Sequence, residues 1–168
     1  MKNHQTKSAG FTLIELMVVV VIVAIFAAIT IPSYETYITR AHKSKAQSEM
    51  LKVAERLESY KGKQLSYAGY IPERQASAKG KINIPYGAAT NNYDYQIMIV
   101  DINDSTKALE DSTLGQGWRM IATPNQTKNN ALRNSEYLLL DSKGVRCATK
   151  DALTVSSISC GSNSQEWK

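Results

Sequence analysis

Residues 11–31, reading FTLIELMVVVVIVAIFAAITI, form an apolar run of 21 residues interrupted only by Thr12, Glu15 and Thr30. As an α-helix this run has the length, about 20 residues, that crosses the hydrocarbon of a bilayer. Any fold open to the chain must therefore accommodate one membrane-length helix near its start. A carboxylate at that depth costs roughly 2.5–3.5 kcal/mol on insertion scales, so Glu15 needs a partner. If the chain is cut between Gly10 and Phe11, the freed α-ammonium lies four residues from Glu15 on the same helical face, where opposite charges attract.

Ahead of the run, residues 1–10 carry Lys2 and Lys7 and no acid, like the n-region of an export signal. Three readings of this arrangement compete. An ordinary secretory signal would have a shorter apolar region and a small-residue cleavage site, for which 24–28 would serve. An uncut anchor is the second. The third accounts for Gly10, Phe11 and Glu15 together: residues 10–15, GFTLIE, resemble the prepilin cleavage motif of type IV pilins and of the related type II secretion pseudopilins. The resemblance implies cleavage after Gly10, a methylated N-terminus at Phe11, with the amine's charge kept, and Glu15 as the acid used in assembly.

The remaining chain is long enough for one modest domain. Lys and Arg number 20 against 15 acids, and removing Lys2 and Lys7 with the leader leaves 18 against 15, a mild excess with no nucleic-acid signature. The lysines of the leader are matched by Arg40, Lys43 and Lys45 beyond the run, so charge alone does not decide topology. Cys147 and Cys160, an even count beyond a membrane segment, fit one disulfide in an oxidising periplasm, with two unpaired buried thiols as the alternative. A bridge would close a loop of about 14 residues, worth roughly 3 kcal/mol in the chain-entropy model. Together with the family resemblance, the cysteines place the C-terminal domain outside the cytoplasm.

Pro32 ends the apolar run. Lacking an amide proton, it predicts a bend or local melting and matches a proline common at this distance from the cleavage site in type IV pilins; the alternative is that it simply ends the helix. Residues 34–60 contain no Gly or Pro, and Met50, Val53, Ala54, Leu57 and Tyr60 recur at helical spacing, predicting a core-facing stripe. Gly62 is the expected stop, with Lys61 and Lys63 at the carbonyl end. The second helix proline of similar pilins has Lys52 in its place. Arg40, His42, Lys43 and Lys45 read either as a solvated face or as contacts to headgroups or a neighbouring subunit.

Residues 63–92, with Pro72 and Pro85, read as an aperiodic variable loop. Beyond it, residues 93–100, 117–123 and 137–140 read as strands, and the turn Asp141-Ser142-Lys143-Gly144 leads into 145–148. Residues 154–160 suggest a last edge strand. The expected fold is α+β: a long N-terminal helix, half of it transmembrane, packed on an antiparallel sheet, as in type IV pilins. Its divisions are a leader (1–10), a transmembrane and assembly half-helix (11–31), a continuing helix (32–62) and a globular head (63–168). Residues 118–124 (WRMIATP), 138–144 (LLLDSKG) and Trp167 resemble minor pilins of the PilE type, although that group commonly has one cysteine before the third strand and another beside the terminal tryptophan.

Catalysis has no support, because after processing His42 is the only histidine. No cofactor or metal is implied; the acids Asp101, Asp104, Glu110 and Asp111, with Asn103, lack the EF-hand spacing and read as a solvated loop. Asn103 and Asn125 head glycosylation sequons. The acid-rich stretch 94–111, set between net basic stretches, suggests a face that meets a basic patch of the next subunit. The resemblance implies a pilus subunit whose partners are other pilins, prepilin peptidase and the inner-membrane assembly platform. It starts in the inner membrane with its head in the periplasm and ends in the pilus. One alternative is a DNA-uptake receptor, with Lys61, Lys63, Lys79 and Lys81 beside Tyr67, Tyr70 and Tyr86 offering cations and stacking rings. The other is a type II secretion pseudopilin.

Overall fold

The computed structural model describes residues 10–167, apart from the side chains of residues 31 and 32; residues 1–9 of the leader, with Lys2 and Lys7, lie outside the described residues. The chain divides into two units, Met1–Thr36 and Tyr37–Lys168. Helix α1, Leu13–Gln64, runs from the first into the second. It neither ends nor unwinds at Pro32. Only one amide proton is lost there, and the helix continues on both sides. The helix passes through Gly62 and stops two residues later. Leu65 takes the left-handed conformation (φ 61°) and returns its N–H to the Lys61 carbonyl at 2.7 Å, doing what the sequence assigned to Gly62.

The second unit contains a five-stranded antiparallel sheet in sequential order. Its strands are β1, Lys81–Ile84; β2, Tyr95–Asp101; β3, Trp118–Pro124; β4, Tyr137–Asp141; and β5, Arg146–Thr149. A 3-10 turn, Leu109–Asp111, follows β2, and the four-residue α2, Asn130–Arg133, precedes β4. Alternation decides the faces. Ile82 and Ile84, then Tyr95, Ile97 and Ile99, Trp118, Met120 and Ala122, and Leu138 and Leu140 all enter one buried cluster. Ala46, Met50, Val53 and Leu57 of α1 complete it, with Ala54 and Tyr60 partly buried at its margin. Register follows from this pattern, because slipping a strand by one residue would turn its whole apolar set outward.

Three expectations are corrected. β1 lies inside the stretch read as aperiodic, and its four residues do alternate, but they are too few to stand out before Pro85. Tyr67 and Tyr70 from the same stretch are core residues. Residues 154–160 form no strand: Thr154 and Ser157 bond to each other as a turn. The strand-like bridge of the tail is instead Gln165 with Ala148, and Trp167 inserts into the core while its Nε1 donates to the Cys147 carbonyl at 2.9 Å. On the sheet's other face Ile121 and Leu139 cluster with Cys147 and Cys160, which are joined as a disulfide.

Candidate functional site

The first unit presents a helix that is apolar on every side and exposed along its length. Phe11 is 82% exposed, and Val20 and Phe26 are both 64% exposed. A soluble helix hides one stripe, whereas one that is hydrophobic all round is covered by lipid or by other helices. Gly10 and Phe11 lie exposed just before the first turn. Glu15 is the third residue of α1 and Thr12 its N-cap: the Glu15 N–H donates to Thr12 Oγ1 at 3.3 Å, and Glu15 Oε2 accepts from the Thr12 N–H at 3.4 Å. These reciprocal, rather long bonds are a capping box, and the acid also faces the positive end of the helix dipole. Thr12 was missed as a partner, though the Thr-x-x-Glu spacing signals it in the sequence. Helix α1 is continuous at Pro32, whose side chain lies outside the described residues.

In the second unit, charges that read as free turn out to be tied. His42 Nδ1 lies 3.2 Å from Asp94 Oδ2, and Lys128 Nζ is 2.7 Å from Asp94 Oδ1. Lys43 pairs with Glu136. Of the four basic residues between positions 40 and 45, His42 and Lys43 therefore hold the head to its own helix, while Arg40 and Lys45 are exposed. Lys79 sits 2.5 Å from Asp111 and 3.7 Å from Glu110, and Lys107 3.3 Å from Asp104. Within the chain the acidic stretch is thus met by its own lysines. Asp101 is spent on the Asn103 N–H and the Ser112 hydroxyl.

The basic and aromatic constellation suggested for nucleic acid also comes apart. Tyr67 and Tyr70 are 2% and 7% exposed, so neither ring has a face for a base. Tyr67 donates its hydroxyl to Glu58 at 2.7 Å, and burial followed by that bond pushes its pKa up to about 12. Tyr86 is pushed up to about 12 as well, by burial and by its bond to Glu49. Burial alone would raise the Glu49 carboxyl, but the bonds from Tyr86 and Lys52 outweigh it and hold the carboxyl below its usual range. Asn125 is unsuited to glycosylation. It is 4% exposed, and its side-chain nitrogen donates to the carbonyls of Asn91 and Tyr93.

Two family descriptions match the chain. "Prokaryotic N-terminal methylation motif" covers residues 5–31, and "Type IV minor pilin ComP, DNA uptake sequence receptor" covers residues 32–149. A fimbrial protein of Dichelobacter nodosus is 36% identical over 114 residues, covering 64% of this chain and 68% of the relative. A type IV major fimbrial protein FimA from the same organism is 60% identical over 40 residues, 24% of this chain and 26% of its own length. A fimbrial protein of Pseudomonas aeruginosa is 48% identical over 58 residues, 33% and 38% of the two chains. The chain thus spans only about a quarter of that FimA protein and just over two thirds of the first fimbrial protein. No solved structure gives a significant match.

Proposed function

The chain belongs to the type IV minor pilins described by the ComP family, and from that premise we propose that it is an anchored subunit converted by processing into part of a pilus. The observation that carries the reading is the exposed, all-round apolar half of α1. Roughly 25 cal/mol is gained per Å² of apolar surface removed from water, so this surface is never left wet. Lipid covers it first and neighbouring pilin helices afterwards. In this reading prepilin peptidase cuts after Gly10 in the inner membrane, Phe11 is methylated, and the head resides in the periplasm until the assembly platform adds the subunit to the fibre. Glu15 then neutralises the Phe11 ammonium of an adjacent subunit. The differential is what selects correct docking: an unpaired buried charge is expensive, and a paired one much less so. Pro32 stays within the helix as it passes from lipid to fibre. The test is mass spectrometry of sheared fibres. A chain starting at methylated Phe11 and lighter by two hydrogens for the Cys147–Cys160 bridge supports the proposal, and absence of the chain from fibres overturns it.

A second reading is favoured by the family match to a DNA uptake sequence receptor. With Tyr67 and Tyr70 buried, contact would run through lysines on phosphates rather than through stacked bases. Lys63 and Lys81 make no ion pair among the described residues. Each phosphate so neutralised adds about 0.9 to the slope of log affinity against log salt. A gel shift with the full chain in micelles, repeated across salt concentrations, tests this; no shift at low salt removes the reading.

A further inference from the structure

Beyond assembly and DNA, we propose that the head carries a binding site for an acidic sugar, a single pyranose bearing a carboxylate. The site is a hollow of about 340 Å³ where four segments meet. The last turn of α1 supplies Lys61, the loop after β2 supplies Asn103, the approach to β3 supplies Gln116 and Gly117, and the β4–β5 turn supplies Ser142 and Lys143. Its volume is near the lower end of small-molecule pockets, of the order of 300 Å³, which suits one ring.

Charge points to an anion. Among the described residues no carboxylate lines the hollow. Lys61 and Lys143 make no ion pair among the described residues, whereas Lys43, Lys52, Lys79, Lys107 and Lys128 each do. Lys61 instead rests over the Tyr67 ring at 4.8 Å. Three acids next to the lining keep their charge while accepting bonds from neutral donors. Glu58 accepts from Tyr67 and Trp118, Asp101 from Asn103 and Ser112, and Asp141 from the N–H groups of Lys143 and Val145.

The neutral groups point to a sugar rather than a bare phosphate. Gln116 Oε1 accepts from Asn103 Nδ2 at 3.4 Å, which leaves the Gln116 amide N–H groups as donors and Asn103 Oδ1 as an acceptor. Ser142 Oγ accepts from the Trp118 N–H at 3.2 Å, leaving its own proton to donate. Sugar hydroxyls both donate and accept, so they use this mixture. A phosphate would leave Asn103 Oδ1 facing negative charge. Ile102 offers apolar surface to the C–H face of a ring.

The floor is already in place. Ile102 N–H bonds to the Gly117 carbonyl at 3.2 Å and Ser142 N–H to the Trp118 carbonyl at 3.0 Å. A Cβ on Gly117 would come within 2.6 Å of Ser142 Oγ and 2.8 Å of Ile102 Cγ2, so glycine there is a matter of space. The backbone floor is fixed in this way, while the polar side chains around it are exposed.

Saturation-transfer NMR on the full chain in detergent micelles tests the proposal. The probes are galacturonate, N-acetylneuraminate, galactose and inorganic phosphate. Saturable binding of at least one acidic sugar in the millimolar range is expected, about tenfold tighter than galactose and weakened by salt. Lys61→Gln and Lys143→Gln should each lower affinity about fivefold with an unchanged circular-dichroism spectrum, and Lys150→Gln, an exposed lysine outside the hollow, should leave it unaltered. No saturable binding of either acidic sugar overturns the site, as do equal binding of galactose, phosphate bound as tightly as the acids, or affinity unchanged in both lysine variants. Displacement of the sugar by a duplex oligonucleotide would assign the hollow to DNA phosphates and also overturn it.

Discussion

Replacing Glu15 separates the two things the structure lets it do. As the third residue of α1 it closes a capping box with Thr12, a role glutamine fills as well. As a carboxylate it is the one charge in the apolar run and can pair with a neighbour's amine. Loss of the cap alone costs about 1 kcal/mol, a factor of about five. Loss of the charge removes the differential between unpaired acid in lipid and paired acid in the fibre, roughly 2.5–3.5 kcal/mol, or on the order of 100-fold in partition between membrane and fibre. Glu15→Ala removes both, and Glu15→Gln removes only the charge. Each variant is to be co-expressed with the native chain, and the ratio of the two measured by mass spectrometry in sheared fibres and in the membrane pool. Both variants should be processed and present in the membrane, and both should be depleted from fibres by more than tenfold. Incorporation of Glu15→Gln at the native level would refute the charge argument and leave capping as the reason for the residue.

Replacing Cys147 and Cys160 by serine opens a bridge with a sequence separation of 13 and should lower head stability by about 3 kcal/mol; in urea unfolding, reductant should shift the native chain and leave the double variant unmoved. Gly115 (φ 52°) has no room for a side chain, since a Cβ would lie 2.1 Å from the Ala68 amide nitrogen. Gly115→Ala should therefore destabilise by more than the ~1–2 kcal/mol of left-handed backbone alone, and an unchanged urea midpoint would contradict this. Alkali should unfold the head as the buried phenols ionise. Tyr67 and Tyr86 have folded pKa values of about 12, above the usual 10.0, so their contribution is complete below about pH 10 and is lost as pH climbs towards 12. Glu49 runs the other way: its lowered pKa contributes above the ordinary carboxylate range and is lost in acid. Phenolate absorbance and circular dichroism followed together should change in step, and a Tyr67→Phe, Tyr86→Phe chain with the same alkaline midpoint would count against the assignment.

Much of the architecture is local pattern. The stripe Met50, Val53 and Leu57 is buried as its spacing predicts, because a helix returns to the same face every three or four residues. The alternation of Tyr95, Ile97 and Ile99 names the core face of β2 before any partner strand is known. β1 escaped because four residues are too few to distinguish from chance, and the tail because its one bridge depends on β5 being there to receive it.

The sequence by itself determined the apolar run, the acid within it, the glycine before it and the alternating strands, since each is a periodicity or a composition confined to a few neighbouring residues. Only the tertiary structure decided which charges and rings are free. Lys79 and Asp111 are 32 residues apart, Tyr86 and Glu49 37, and His42 lies on α1 while Asp94 precedes β2. No local pattern carries those pairings. They exist because pairing β1 with β2 and packing α1 on the sheet bring distant segments together, and polar groups that become buried must then be satisfied by whatever the fold has placed beside them.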